Sequence, residues 1–164
     1  MWGDFAAAAP ELAAAAREVV ERWGFLVLGT IRRDGTPRIS LVEAHFVGDH
    51  LMLVVIAGTL KGRDLLRDPR LVLNAPVLDA MNPGTELKLR GRAVEISDDA
   101  LRHATADAVE SRSGWRPPES WHVFSIEVED VALMRWTGSV MDMSRWTSEG
   151  GVERTQRDVA PGIS

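Results

Sequence analysis

The sequence predicts a mainly β fold with helices (α+β): a small antiparallel barrel or sandwich decorated by helices at three points. Three observations predict it. Short apolar runs recur at close spacing and are joined by tight turns, Asp34-Gly35 being the hairpin signal. Longer stretches near residues 10–22 and 97–112 instead space their apolar residues as a helix does. The 164 residues are 45% hydrophobic and 26% charged, a composition that can bury one sizeable core. A single domain over residues 1–150 is expected, followed by a flexible tail over 151–164.

Each element has its own signal. "PELAAAAREVVERW" sets Leu12, Ala15, Ala16, Val19 and Trp23 at helical spacing. Pro10 suits a first helical position and Gly24 a stop, so a helix is expected from Pro10 to Arg22. Three strands follow as a meander: Phe25–Ile31, Pro37–Val47 and Leu51–Ile56. "KGRDLLRD" has the length of about two helical turns and stops before Pro69, which forces its predecessor out of the helical region. "RLVLNAPV" and Glu86–Ile96 read as strands on either side of a loop, "DAMNPG". "SDDALRHATADAVESR" opens on Ser97, a good N-cap, and sets Leu101, Ala104, Ala108 and Val109 on one face. "HVFSIEVED" alternates Phe124, Ile126 and Val128 with polar residues, and Val131–Trp136 follows as a seventh strand. Beyond Trp136 the chain turns polar and Gly-rich, so only partial order is expected. Two strands change phase: Ile39 and Leu41 give way to Val42, Ala44 and Phe46, and Leu87 and Leu89 to Val94 and Ile96. Each change predicts a bulge or a switch of covering partner.

Composition excludes several function classes. The formal net charge of −5 argues against a general nucleic-acid or anionic-membrane binder. With no cysteine, the chain cannot form disulfides, thiolate nucleophiles or cysteine metal sites. The opening is Ala-rich but carries Asp4 and Glu11, unlike a secretory signal. No run approaches the ~18 apolar residues of a membrane span. A soluble, cytoplasmic protein is expected. No metal-ligand spacing or nucleophile elbow occurs, and the expected metal set is none.

Two stretches can carry chemistry. In "GTLKGRDLLRDPR" (58–70) Thr59 can cap a short helix whose first amides then face outward. Lys61 adds a point charge, Arg63 a fork for bidentate contact, and Gly58 and Gly62 let a ligand approach the backbone. All that a phosphate needs is present; the alternative is a solvated strand end on which Thr59 is only a cap. In "ISLVEAH" Glu43 and His45 share a strand face with Ile39 and Leu41. They either line a pocket as the acid or base, or mark where that face leaves the core. Six tryptophans, four of them in the C-terminal third, serve as packing or as a platform for a planar ligand.

The order strand, "DGTP", strand, turn, strand, "GTLKGRDLLRDPRLVL" resembles the pyridoxamine 5'-phosphate oxidase-like split barrels, which bind flavin or deazaflavin. The matching residues are Thr59 and Lys61, then Asp64-Leu65, then Asp68-Pro69-Arg70, within a resemblance running from Gly24 to Ile96 and more loosely to Trp136. It implies a split barrel of six to seven strands in which Thr59 and Lys61 hold a cofactor phosphate. It implies that Ser40 meets the ring edge, and that the protein is a homodimer with the cofactor between subunits. The implied cofactor is FMN, or else the deazaflavin coenzyme F-420, serving an oxidoreductase that transfers hydride to or from a small molecule. The alternative is a non-catalytic protein that binds or sequesters flavin or haem. Two features depart from the family: Leu60 replaces the Arg that many relatives place before the Lys, and "MRWTG" does not reproduce the oxidase's C-terminal substrate motif. Pyridoxamine phosphate itself is therefore not the expected substrate.

Overall fold

Six strands close on one another by hydrogen bonding in the computed structural model, which describes residues 1–75 and 84–158. The strands are β1 (Phe25–Ile31), β2 (Pro37–Val47), β3 (His50–Val55), β4 (Arg70–Ala75), β5 (Thr85–Glu95), β6 (His122–Thr137), β7 (Val140–Thr147) and β8 (Gly151–Asp158). The sheet order is β3-β2-β1-β4-β5-β6-β7-β8, and β3 also pairs with β6, closing a barrel from the first six. Every pairing is antiparallel. The helices are α1 (Trp2–Ala8), α2 (Pro10–Trp23), α3 (Leu60–Arg67) and α4 (Asp99–Ser113). Among the described residues no helix is long and apolar enough to cross a membrane. The mainly β barrel with helices is thus the observed fold.

The core fills the barrel and one end of it. Leu26, Leu28, Leu53, Leu73, Leu89, Phe124 and Ile126 meet inside, joined by Leu12, Ala16 and Val20 of α2. Helix α2 touches β1, β2, β4 and β5, and α1 touches β3 and β6, so the helical pair spans the whole barrel rim. Helix α1 was not expected. Its anchors are Trp2, edge-on to Phe46 with centroids 4.7 Å apart, and Phe5, 4.9 Å from Trp146. Trp2 and Phe5 are three residues apart and so share a helix face.

Several expectations differ from the structure. The stretches around "HVFSIEVED" and "VALMRW" form one strand, β6, because near their junction the ladder slips past a single bulged residue, Glu129, instead of breaking. Arg90 faces Asp130 and Gly91 faces Val128, leaving Glu129 unpaired in the ladder. The carbonyl of Glu129 instead accepts from the amide of Ser148 at 3.0 Å. The bulge therefore lies on β6, and β5 keeps one phase through Leu87, Leu89, Gly91 and Ala93. In β2 the pairing runs unbroken from Pro37 to Glu43, so its phase change reflects two apolar faces. Gly151–Asp158, expected within the tail, pairs as β8 along all of β7; residues 159–164 lie outside the described residues. So does the "DAMNPG" loop up to residue 83. Helix α4 begins one residue later than expected, capped by Asp98 and not Ser97, with Asp98 accepting from the Leu101 amide at 2.7 Å.

Candidate functional site

Helix α3 is set by its cap and by one buried charge. After β3 the chain turns at Gly58, whose φ of 74° suits glycine. Thr59 then caps α3: its hydroxyl donates to the Ile56 carbonyl at 2.8 Å and accepts from the Gly62 amide at 3.4 Å. Gly62, Asp64 and Leu65 face inward. Leu65 joins the core. Asp64, only 3% exposed, accepts three hydrogen bonds. They come from Arg38 Nε at 2.6 Å, Arg67 Nη2 at 3.0 Å and Thr30 Oγ1 at 3.1 Å. Burial alone raises the pKa of a carboxyl group; here the donors outweigh it, Arg38 foremost, and hold Asp64 below its ordinary value. One side chain thereby ties α3 to β1 and β2.

An open cleft of about 950 Å³ lies over this tie. Arg32 and Arg33 reach it from the β1–β2 turn, Arg38 from β2, and Arg63 and Arg67 from α3. Its carboxylates are Asp34 and Asp64, so cations predominate in a protein whose net charge is −5. Arg67 is occupied, since it also donates to the Ile31 carbonyl. Arg32, Arg33, Arg63 and the two terminal nitrogens of Arg38 have no partner among the described residues. Unpaired guanidinium groups in a cleft, one of them (Arg38) held at Nε, suit an anion such as a phosphate ester.

Lys61 sits beside the cleft, not in it. Strand β3 pairs with β2 only over Glu43–Val47, so the earlier part of β2 has an open edge facing α3. There the Lys61 amine donates to the Leu41 carbonyl, and burial pushes its pKa below the ordinary lysine value. Ser40 is half-buried and shares its strand face with Arg38 and Val42. On the opposite face, Ile39 and Leu41 are 78% and 63% exposed and Phe25 is 58% exposed. Gly29 faces Ile39 on one side and Val72, also exposed, on the other. An uncovered apolar sheet face thus lies on the other side of the strand that brings Arg38 to the cleft.

The structure separates the other sequence candidates from this place. Glu43 and His45 lie farther along β2, His45 about 23 Å from Arg38 at ~3.3 Å per residue. His45 is buried, with its Nε2 3.0 Å from Glu43 Oε1 but without a hydrogen bond of good geometry. Burial lowers its pKa, against the opposing pull of Glu43, so the ring is held neutral. The tryptophans mainly pack: Trp146 is buried against Phe5, and Trp115 lies 5.0 Å from Trp121. Among the described residues no cluster could hold a metal ion.

Of the residues singled out in sequence, Gly58, Thr59, Lys61 and Arg63 gather at the start of α3, with Ser40 on the neighbouring strand and only Arg63 lining the cleft. Sequence reasoning missed Arg38 and Arg67, and met Asp64 only as part of the family pattern. One signal was present: the Asp34-Gly35 hairpin fixes a register that sets Thr30 opposite Arg38.

Comparison with known proteins agrees with this architecture. The structure resembles a haem-binding protein from Mycobacterium smegmatis, with 20% identity, 91% of this chain and 88% of that one covered, and a TM-score of 0.60. It resembles PhzG from Burkholderia lata 383, solved with tetrahydrophenazine-1-carboxylic acid, at 14% identity, covering 87% and 91%, TM-score 0.60. It resembles an F-420 reductase at 21% identity, covering 70% and 94%, TM-score 0.56. At such identities these likenesses establish the fold alone. No curated protein sequence matches the chain. The pyridoxamine 5'-phosphate oxidase family model matches residues 12–135, through the barrel, α3 and α4, and the chain belongs to that family.

Proposed function

We propose that the protein is a small, cytoplasmic, homodimeric oxidoreductase that binds FMN, or alternatively coenzyme F-420, through its phosphate. The observation that carries this reading is the cleft of unpaired arginines. A flavin-type cofactor has an anionic ester that suits it. Arg38 and Arg63 hold the phosphate. Lys61 adds its charge at the strand edge, exchanging the Leu41 carbonyl for the ligand, and Thr59 keeps the first turn of α3 in place. Ser40, on the Arg38 face of β2, meets the ring edge, and the opposite face of Ile39 and Leu41 is left for a second subunit. The bound cofactor supplies hydride or electron transfer at its ring. The protein's part is to bind, orient and keep water off; Glu43 and His45 are too far along β2 to touch a phosphate at Arg38.

Titrating the wild-type protein with FMN and with F-420 tests the reading, and a spectral shift with either supports it. Lys61→Ala is expected to weaken binding roughly tenfold to a hundredfold, because a charge-assisted contact is worth ~1.5–3 kcal/mol. Equal affinity for wild type and variant removes Lys61 from the site.

A second reading is favoured by one observation: among the described residues, the only carboxylates lining the cleft are the hydrogen-bonded Asp34 and Asp64, and no histidine or lysine lines it. On it the protein stores or sequesters a flavin, or a haem whose propionates the arginines would hold. Mixing the loaded protein with a chemical reductant and a small-molecule acceptor separates the two. Repeated turnover marks an enzyme, and one stoichiometric reduction marks a carrier.

A further inference from the structure

Arg38 and Arg67 meet the same buried carboxylate, but they are left in different states. Arg67 uses one terminal nitrogen for both Asp64 Oδ1 and the Ile31 carbonyl, which makes it a strut between α3 and β1. Arg38 is held by Nε alone, on Asp64 Oδ2 at 2.6 Å. A guanidinium gripped at Nε keeps its far edge, the two terminal nitrogens, free in one plane. That edge belongs to a residue lining the cleft, and it has no partner among the described residues.

A purely structural role does not account for this arrangement. Tying a helix to a sheet through a buried ion pair stabilises no more than an apolar pair of the same shape, because both charges lose their water. Leu65, one residue on, already docks α3 in the core by burial alone. What the carboxylate adds is direction. Without it a long arginine chain samples many rotamers, and binding must order it.

We propose that Asp64 is a positioning residue: by accepting the Nε–H of Arg38 it presents the two terminal nitrogens to the cleft as a preformed fork for the cofactor's phosphate. This rests on the flavin-phosphate reading above. It makes the site selective for the phosphorylated ring over the same ring without phosphate.

The experiment measures affinities of the full chain for FMN and riboflavin, and for F-420 and its dephosphorylated chromophore, in four proteins. They are wild type, Asp64→Asn, Arg38→Lys and Leu65→Ala, with thermal midpoints measured for each. Asp64→Asn keeps the shape and removes the charge, Arg38→Lys keeps the charge and removes the fork, and Leu65→Ala loosens α3 without touching the network. Asp64→Asn and Arg38→Lys are each expected to lower the preference for the phosphorylated ring by roughly tenfold or more, leaving the affinity for the unphosphorylated ring unchanged. Leu65→Ala is expected to lower the thermal midpoint and keep the preference. A wild type with no preference overturns the cofactor-phosphate reading and this proposal with it. A wild-type preference that Arg38→Lys leaves intact, or that Asp64→Asn and Leu65→Ala lower equally, overturns the positioning role alone. If Asp64→Asn does not fold, Asp64→Glu replaces it: an extra methylene displaces the fork and lowers the preference, and an unchanged preference rejects the role.

Discussion

Two buried titratable side chains, Asp64 and His45, place acid sensitivity in separate pH windows. Asp64 has a folded pKa below its ordinary value of 3.8. Its contribution to stability is therefore complete above that value and is lost as pH falls through the lower, folded one. His45 also has a lowered folded pKa, from an ordinary value of 6.5, because burial disfavours the imidazolium. Between 6.5 and the folded value the unfolded chain takes up a proton that the native ring refuses, so stability falls as pH falls there too. We expect urea midpoints of the wild type to decline in both windows. His45→Gln should flatten the upper window and Asp64→Asn the lower one. An upper slope that persists in His45→Gln assigns it to another group. The sequence displayed both residues, His45 as a candidate acid or base and Asp64 only within the family pattern, but not their contacts. Asp64's partners Thr30 and Arg38 lie 34 and 26 positions away, and no local pattern reports a contact at that range.

At the scale of the element, the bulge between β5 and β6 lets one sixteen-residue strand serve two parts of the sheet. The first half of β6 pairs with β3 and closes the barrel, and the second half pairs with β7 and leaves it. Gly91 permits the crossing, since a Cβ there would stand 2.2 Å from the Glu127 carbonyl oxygen. Gly91→Ala is accordingly expected to destabilise the protein by about 2 kcal/mol or more, as overpacking against backbone does. Chemical unfolding measures it, and a change under ~0.5 kcal/mol contradicts the close approach. Elements with a strong period were legible: α2, α3, α4 and the barrel strands sit within a few residues of their expected places. The site's phosphate-type residues at the start of α3 were legible for a related reason, because cap, charge and glycines lie within six residues. What lay hidden had no period to show. Strand β8 is exposed along its whole length and is held by its ladder to β7, so its sequence, "GVERTQRD", carries no buried alternation. Strand β6 read as two strands because Glu129 breaks the alternation at the point where pairing slips.

At the scale of the whole molecule, the outer face of β2, β1 and β4 is uncovered by any element of the described chain. Phe25, Ile39, Leu41 and Val72 are all exposed there, on three strands that are neighbours in the sheet. Scattered apolar residues are ordinary on a surface, but a contiguous patch rimmed by polar groups marks an interaction face. The rim here includes Glu43, Asn74 and Lys88. On the homodimer proposed above, a second copy of the chain would cover this face, a two-fold axis setting the same apolar patch against itself. The expected dimer would then bury the strand that the cofactor ring also uses, so assembly and cofactor binding should be coupled. Ile39→Asp tests this by placing a charge at the most exposed apolar position, where the monomer has no contact to lose. We expect sedimentation to show the wild type as a dimer and Ile39→Asp as a monomer, with an unchanged thermal midpoint at low concentration. FMN or F-420 affinity should fall with it, and high protein concentration should partly restore both. If Ile39→Asp sediments like the wild type, this face is not where the subunits meet. If it is monomeric yet binds the cofactor as tightly, the ring is held by one chain alone.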